Sequence, residues 1–210
     1  MIIKTALLDP HPVVQRGFEN FFNEIEHINV VITANNVIDL MEGLEDRDID
    51  IVISEMDLPD GSPVKMIKDI NNLYPNTSVL IYTSLPDSIY AVSLLRAGAI
   101  GFISKKARQE VIIEAIEKVF QDGYHVTTNY ANEISRNIDL KKPRTIFGKL
   151  SAREVEVLKY LIEGKRNVDI ANILEIHQKT INTYKSRIMK KLQVRSVVDL
   201  YQQARNLDIL

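Results

Sequence analysis

The first 122 or so residues alternate five times between short apolar runs and helical patterns, and few folds accommodate that order. The runs fall at 2–8, 28–33, 51–54, 79–82 and 101–103, and most are rich in β-branched residues. Helical patterns fill the gaps at 13–25, 37–45, 64–73, 88–97 and 109–121. In the last of these, Val111, Ile112, Ala115, Ile116, Val119 and Phe120 share one face at helical spacing, and Asp122-Gly123 supplies a stop. Five such β–α units predict a doubly wound, five-stranded parallel sheet with helices on both faces. In sheets of this kind, ligands gather beyond the carboxyl ends of the strands.

The polar residues of interest sit at those ends. Asp9 follows the first strand, Glu55 ends the third, Thr83 ends the fourth and Lys105 follows the fifth. Singly, a Thr at a strand end is a packing residue and a Lys after a strand is solvated. Together, two acids, a small hydroxyl and a lysine form a constellation suited to phosphoryl transfer.

Residues 124–148 break the pattern and are read as a linker, with a short helix possible at 131–138. From 149 to 210 the chain reads as four helices. Ser151-Ala152-Arg153-Glu154 is a capping box. A first helix over 152–162 turns Val155, Leu158, Leu161 and Ile162 inward, and Gly164 stops it. Asn167 is expected to cap a second helix at 168–174. A tight turn leads to a third at 178–192, and a fourth covers 197–205. Two short helices across a tight turn, the second rich in Lys, Arg, Thr and Asn, have the form of a helix-turn-helix.

Charge divides the same way. Residues 149–210 carry 12 Lys+Arg against 7 Asp+Glu, a net of +5. Residues 1–148 carry 14 against 21, a net of −7. An acidic front and a basic back point to two domains with different partners, nucleic acid being the candidate for the second. The chain has no cysteine, which excludes disulfides, thiolate catalysis and thiolate metal sites, and its four histidines are scattered. No apolar run nears the roughly 18 residues of a membrane span, and the start of the chain is unlike a signal peptide. A cytoplasmic location is the expectation.

Specific motifs carry a family resemblance across nearly the whole chain. Asp9-Pro10-His11-Pro12, the strand ending in Glu55, Tyr82-Thr83-Ser84 and Gly98-Ala99-Ile100-Gly101-Phe102-Ile103-Ser104-Lys105 resemble the receiver domain of two-component response regulators. Leu150-Ser151-Ala152-Arg153-Glu154-Val155-Glu156-Val157-Leu158, then Lys179-Thr180-Ile181 and Lys190-Lys191-Leu192, are similar to the LuxR-type helix-turn-helix. The combination looks like the NarL/FixJ family. The resemblance implies an α/β flavodoxin-like receiver over 1–123, a linker over 124–148 and a small all-α four-helix DNA-binding domain over 149–210. It implies a transcription regulator rather than an enzyme.

Two departures stand out. The family's phosphoacceptor Asp is Glu55, and Pro10 replaces a metal-binding acid. Mg²⁺ requires its oxygen ligands in near-octahedral order, so Mg²⁺ binding is expected to be weak or absent, with no other cofactor. The resemblance assigns the remaining switch roles to Asp9, Thr83, Phe102 and Lys105. Glu55 has three readings: a built-in imitation of the phosphorylated state, accepting from Thr83 and pairing with Lys105; an inert or otherwise regulated site; or a bystander, with Asp57 phosphorylated instead.

In the third helix of the second domain, Asn182 is placed to pair with adenine, and the Thr183 methyl to meet a thymine methyl. Ser186 shares that face. Lys179, Thr180, Lys185, Arg187 and Lys190 are assigned to DNA phosphates. Ile181, Tyr184 and Ile188 face inward. His177 stands where the family has a better N-cap, which would cost on the order of 1 kcal/mol. Val197, Val198, Leu200 and Tyr201 supply a homodimer surface, some of them necessarily core. A heterodimer with another response regulator, or a protein-interaction role modulating another transcription factor, remains the alternative.

Overall fold

The computed structural model describes residues 1–123 and 149–205, so the expectations for 124–148 lie outside the described residues. In chain order the first part runs β1 (Ile3–Leu8), α1 (Pro12–Phe22), β2 (Ile28–Ala34), α2 (Val37–Glu45), β3 (Ile51–Ser54), α3 (Pro63–Leu73), β4 (Ser78–Thr83), α4 (Asp87–Ala97), β5 (Gly101–Ser104) and α5 (Gln109–Asp122). The strands form one parallel sheet in the order β2-β1-β3-β4-β5. The order reverses at β1 and β3, which is where a doubly wound sheet opens its crevice.

Strand periodicity explains the two-faced core. Leu7, Ile51, Ile53, Leu80 and Ile103 point to one side, where Phe18 and Phe22 of α1 and Ile112 and Ile116 of α5 cover them. Ala6, Leu8, Val52, Val79 and Ile81 point to the other, against Leu40, Leu44, Ile67, Ile70 and Leu94. All four residues of β3 are buried, as expected of a central strand covered on both faces. Helix α1 stops at Phe22, three residues short of the expected end, because the chain turns there: Ile25 N–H donates to Phe22 O and Ile25 packs back on the core.

The second part comprises α6 (Ala152–Ile162), α7 (Asn167–Ile173), α8 (Gln178–Leu192) and α9 (Val197–Arg205). Ser151 and Glu154 complete the capping box in both directions. Gly164 follows α6 at φ 76°, a conformation that favours a residue without Cβ. Ile170, Ile181, Ile188, Leu192 and Leu200 are buried between these helices. Arg166, not Asn167, occupies the N-cap of α7; the Asn167 amide instead donates to Asn182 Oδ1 at 2.6 Å. The His177 ring does cap α8, its Nδ1 accepting from Lys179 N–H at 3.1 Å, so the expected penalty is offset.

The two parts are docked. Helix α6 packs on α4, and the apolar cluster behind β3 runs on through Met56, Leu58 and Tyr90 into Val157, Tyr160 and Leu161.

Candidate functional site

The carboxyl ends of the strands bring together the four side chains singled out by position. Asp9, Glu55 and Thr83 are buried, and Lys105 follows β5, its N–H bound to Thr83 O at 2.8 Å. The Lys105 ammonium bridges both acids, meeting Glu55 Oε2 at 2.6 Å and Asp9 Oδ2. The other Glu55 oxygen, Oε1, accepts from Met56 N–H at 2.5 Å and Asp57 N–H at 3.1 Å. The other Asp9 oxygen accepts from His11 N–H at 2.9 Å and lies 2.9 Å from His11 Nδ1. Each buried carboxylate oxygen therefore has a partner.

Burial pushes the Lys105 pKa down, but hydrogen bonds and charge from Asp9 and Glu55 outweigh it, and the ammonium ends above the ordinary lysine value. Burial also raises the neighbouring Tyr82 phenol, against the pull of Lys105, whose nitrogen sits 5.8 Å from the Tyr82 ring centre. Phe102 is inside the core at 2% exposure. Thr83 does not follow the expected pattern. Its hydroxyl oxygen accepts from Leu85 N–H at 3.3 Å, while Glu55 turns to its own loop and to Lys105. The carboxylate of Glu55 finds donors closer than the Thr83 hydroxyl, namely the amides that follow it in the chain.

The carboxylates at the strand ends number two and share one lysine. Pro10 offers no side-chain oxygen, and Lys105 already places a positive charge on both remaining acids. Among the described residues, no three His, Asp or Glu side chains converge in a way that could hold a metal ion.

Helix α8 presents the second set. Lys179, Asn182, Thr183, Ser186, Arg187 and Lys190 are exposed, and Thr180 and Lys185 are half-buried. Thr183 and Ser186 donate their hydroxyls back to Lys179 O and Asn182 O, at 3.1 and 3.0 Å. Such back-bonding leaves the Thr183 methyl and the basic side chains as the outward surface. Ile181 and Ile188 are fully buried, and Tyr184 is half-buried. On α9, Val198 and Tyr201 are exposed and Val197 half-exposed, whereas Leu200 belongs to the core and is removed from the dimer surface.

A third set was not foreseen. Every residue of α6 from Glu154 to Ile162 is buried. The Glu156 carboxylate accepts from Ser62 Oγ and, at 3.0 Å, from Val64 N–H in the first turn of α3. Arg153 meets Glu156 Oε2 at 2.9 Å and also donates to Ser62 Oγ. Lys159 pairs with Asp57, and Lys65 with Glu175 at 2.7 Å. A partial signal existed: Val157 and Tyr160 fall off the stripe of Val155, Leu158 and Ile162, which widens the apolar face beyond what one small domain covers, although Glu156 and Lys159 interrupt it.

Comparison with known proteins identifies the framework. Residues 6–117 match the response regulator receiver domain, and residues 148–204 match bacterial regulatory proteins of the luxR family. The oxygen regulatory protein NreC of Staphylococcus epidermidis is 31% identical, with 96% of each chain covered. The DNA-binding transcriptional activator EvgA of Escherichia coli is 30% identical over 95% of this chain and 96% of that one. The chain is a response regulator of the NarL/FixJ family. The NarL/FixJ assignment makes it a DNA-binding transcription factor with a LuxR-type helix-turn-helix, and not an enzyme. Its fold agrees with RcsB of Salmonella enterica serovar Typhimurium bound to promoter rprA in the presence of the phosphomimetic BeF₃⁻ (TM-score 0.79, 24% identity, covering 96% of this chain and 98% of that one). No helix among the described residues is long and apolar enough to cross a membrane.

Proposed function

We propose that this NarL/FixJ regulator reads a two-fold-symmetric DNA site as a homodimer, without aspartyl phosphorylation and without Mg²⁺. The observation that carries the reading is the closed charge network of Asp9, Glu55 and Lys105. Phosphorylation would need a nucleophilic aspartate, a metal to neutralise the transferring group, and a lysine free to receive it. Here the acceptor is a glutamate, one metal ligand is Pro10, and Lys105 is held by two carboxylates. Glu55 supplies one negative charge where a phosphoryl group would bring about two. Its partnership with Lys105, and Phe102 packed inward, support a site set permanently in one state.

In the second domain, α8 enters the major groove. Asn182, Thr183 and Ser186 meet base edges, while Lys179, Thr180, Lys185, Arg187 and Lys190 hold phosphates. Val197, Val198 and Tyr201 of α9 meet their copies across the two-fold axis. RcsB, whose structures include two dimers bound to two parallel DNAs, supports the dimeric reading.

Enrichment of a random duplex pool by the full-length protein, in chelator and without phosphodonor, tests this reading. A two-fold-symmetric site is the expected product. Failure of Glu55→Ala to change affinity for that site, or dimerisation on it, would remove Glu55 from the mechanism while leaving DNA recognition in place.

A further inference from the structure

We infer that the contacts between α6 and the receiver form a latch that presents α8 to DNA, and that Glu55 sets this latch through the loop between β3 and α3. The inference rests on the DNA-binding reading above. Glu156 and Lys159 are nearly inaccessible, at 2% and 5% exposure. Charged side chains are rarely placed there without partners, and the receiver supplies partners for both. Glu156 binds the Ser62 hydroxyl and the Val64 amide, so a carboxylate from the DNA-binding domain caps the first turn of the receiver's α3. Lys159 pairs with Asp57 and lies 4.9 Å from the Tyr160 ring centre.

The link to the switch position is one residue long. Glu55 Oε1 holds the Met56 and Asp57 amides, which fixes the backbone that carries the Asp57 carboxylate to Lys159. The path therefore runs from strand end to loop to α6 and does not pass through Thr83 or Phe102. The direction of the effect follows from exposure. With the domains docked, Lys179, Asn182, Thr183, Ser186, Arg187 and Lys190 all remain exposed. Docking leaves the reading face open while removing the orientational freedom of the domain that carries it. Preorganisation of that kind favours binding.

The pair is tested by a double-mutant cycle in the full-length protein, using Asp57→Asn and Lys159→Met, which keep side-chain volume. Affinity is measured for the duplex that the wild type enriches, small-angle scattering reports domain separation, and circular dichroism confirms folding. Each single variant is expected to bind about tenfold more weakly and to scatter as a more extended particle, with the double variant no worse than either single. Unchanged affinity, or losses that simply add, overturns the latch. Tighter binding by the variants also overturns it, because docking would then shield DNA-binding groups. A wild type that binds no duplex overturns the DNA reading itself, a result distinct from equal binding by all four proteins.

Discussion

The strand-end site and helix α8 both concentrate charge, and they treat it in opposite ways. At the strand ends, Asp9 and Glu55 share the one ammonium of Lys105, and backbone amides bind the remaining carboxylate oxygens. On α8, Lys179, Lys185, Arg187 and Lys190 take part in no ion pair among the described residues. A buried charge must be matched inside the fold, or folding carries its desolvation cost. An exposed cation costs little and stays available to a phosphate. One region has its interactions complete within the chain, and the other leaves its cations open to an outside partner, which the proposed function takes to be DNA.

The largest expected effect comes from opening the closed network. Lys105→Ala leaves two buried carboxylates facing each other and should lower stability by about 3 kcal/mol in urea denaturation. A loss within about 0.5 kcal/mol would mean that the acids are solvated and the site is not closed. On α8 the reverse pattern is expected. Asn182→Ala should leave the urea midpoint in place yet weaken binding to the enriched duplex by about 1–3 kcal/mol, with discrimination lost at one base pair. If binding falls equally on every sequence, Asn182 is not reading a base.

Ser151→Ala sharpens the contrast from a neutral position, since it removes only the α6 cap; thermal or urea melts should show about 1 kcal/mol. Lys185→Ala should hardly alter stability, but should reduce the slope of log affinity against log salt by about 0.9 if it holds one phosphate. The smallest effect is at alkaline pH. Lys105 titrates above the ordinary value of 10.5, so its contribution is complete below that value. It is lost as pH rises through the raised pKa. Lys105→Met should flatten that alkaline limb of the stability curve.

The alternation of strand and helix was legible because a parallel sheet buries both faces and sets its strands apart as short apolar runs. Element ends were less so. Helix α1 stops early for a tertiary reason, the packing of Ile25. The convergence of Asp9, Glu55, Thr83 and Lys105 was legible because topology alone gathers strand ends. The Glu55–Lys105 pair followed from it, but the Thr83 partner did not, since adjacent backbone amides outcompeted a hydroxyl across the site. The docking of α6 was missed because Glu156 and Lys159 are charged, and charge in a helix is ordinarily read as a wet face. Local partners, Arg153 and Glu163, are joined by partners distant in sequence, Ser62 and Asp57, and the distant ones are not visible in the helix's own pattern.

The most direct test is a pair of binding isotherms for full-length protein on its enriched duplex, one in chelator and one after incubation with Mg²⁺ and a small-molecule phosphodonor. Intact-mass measurement of both samples accompanies them. Superimposable isotherms and an unchanged mass are predicted. A phosphoryl adduct with tight binding only in the second sample would contradict the account, and would show that this receiver still accepts phosphate.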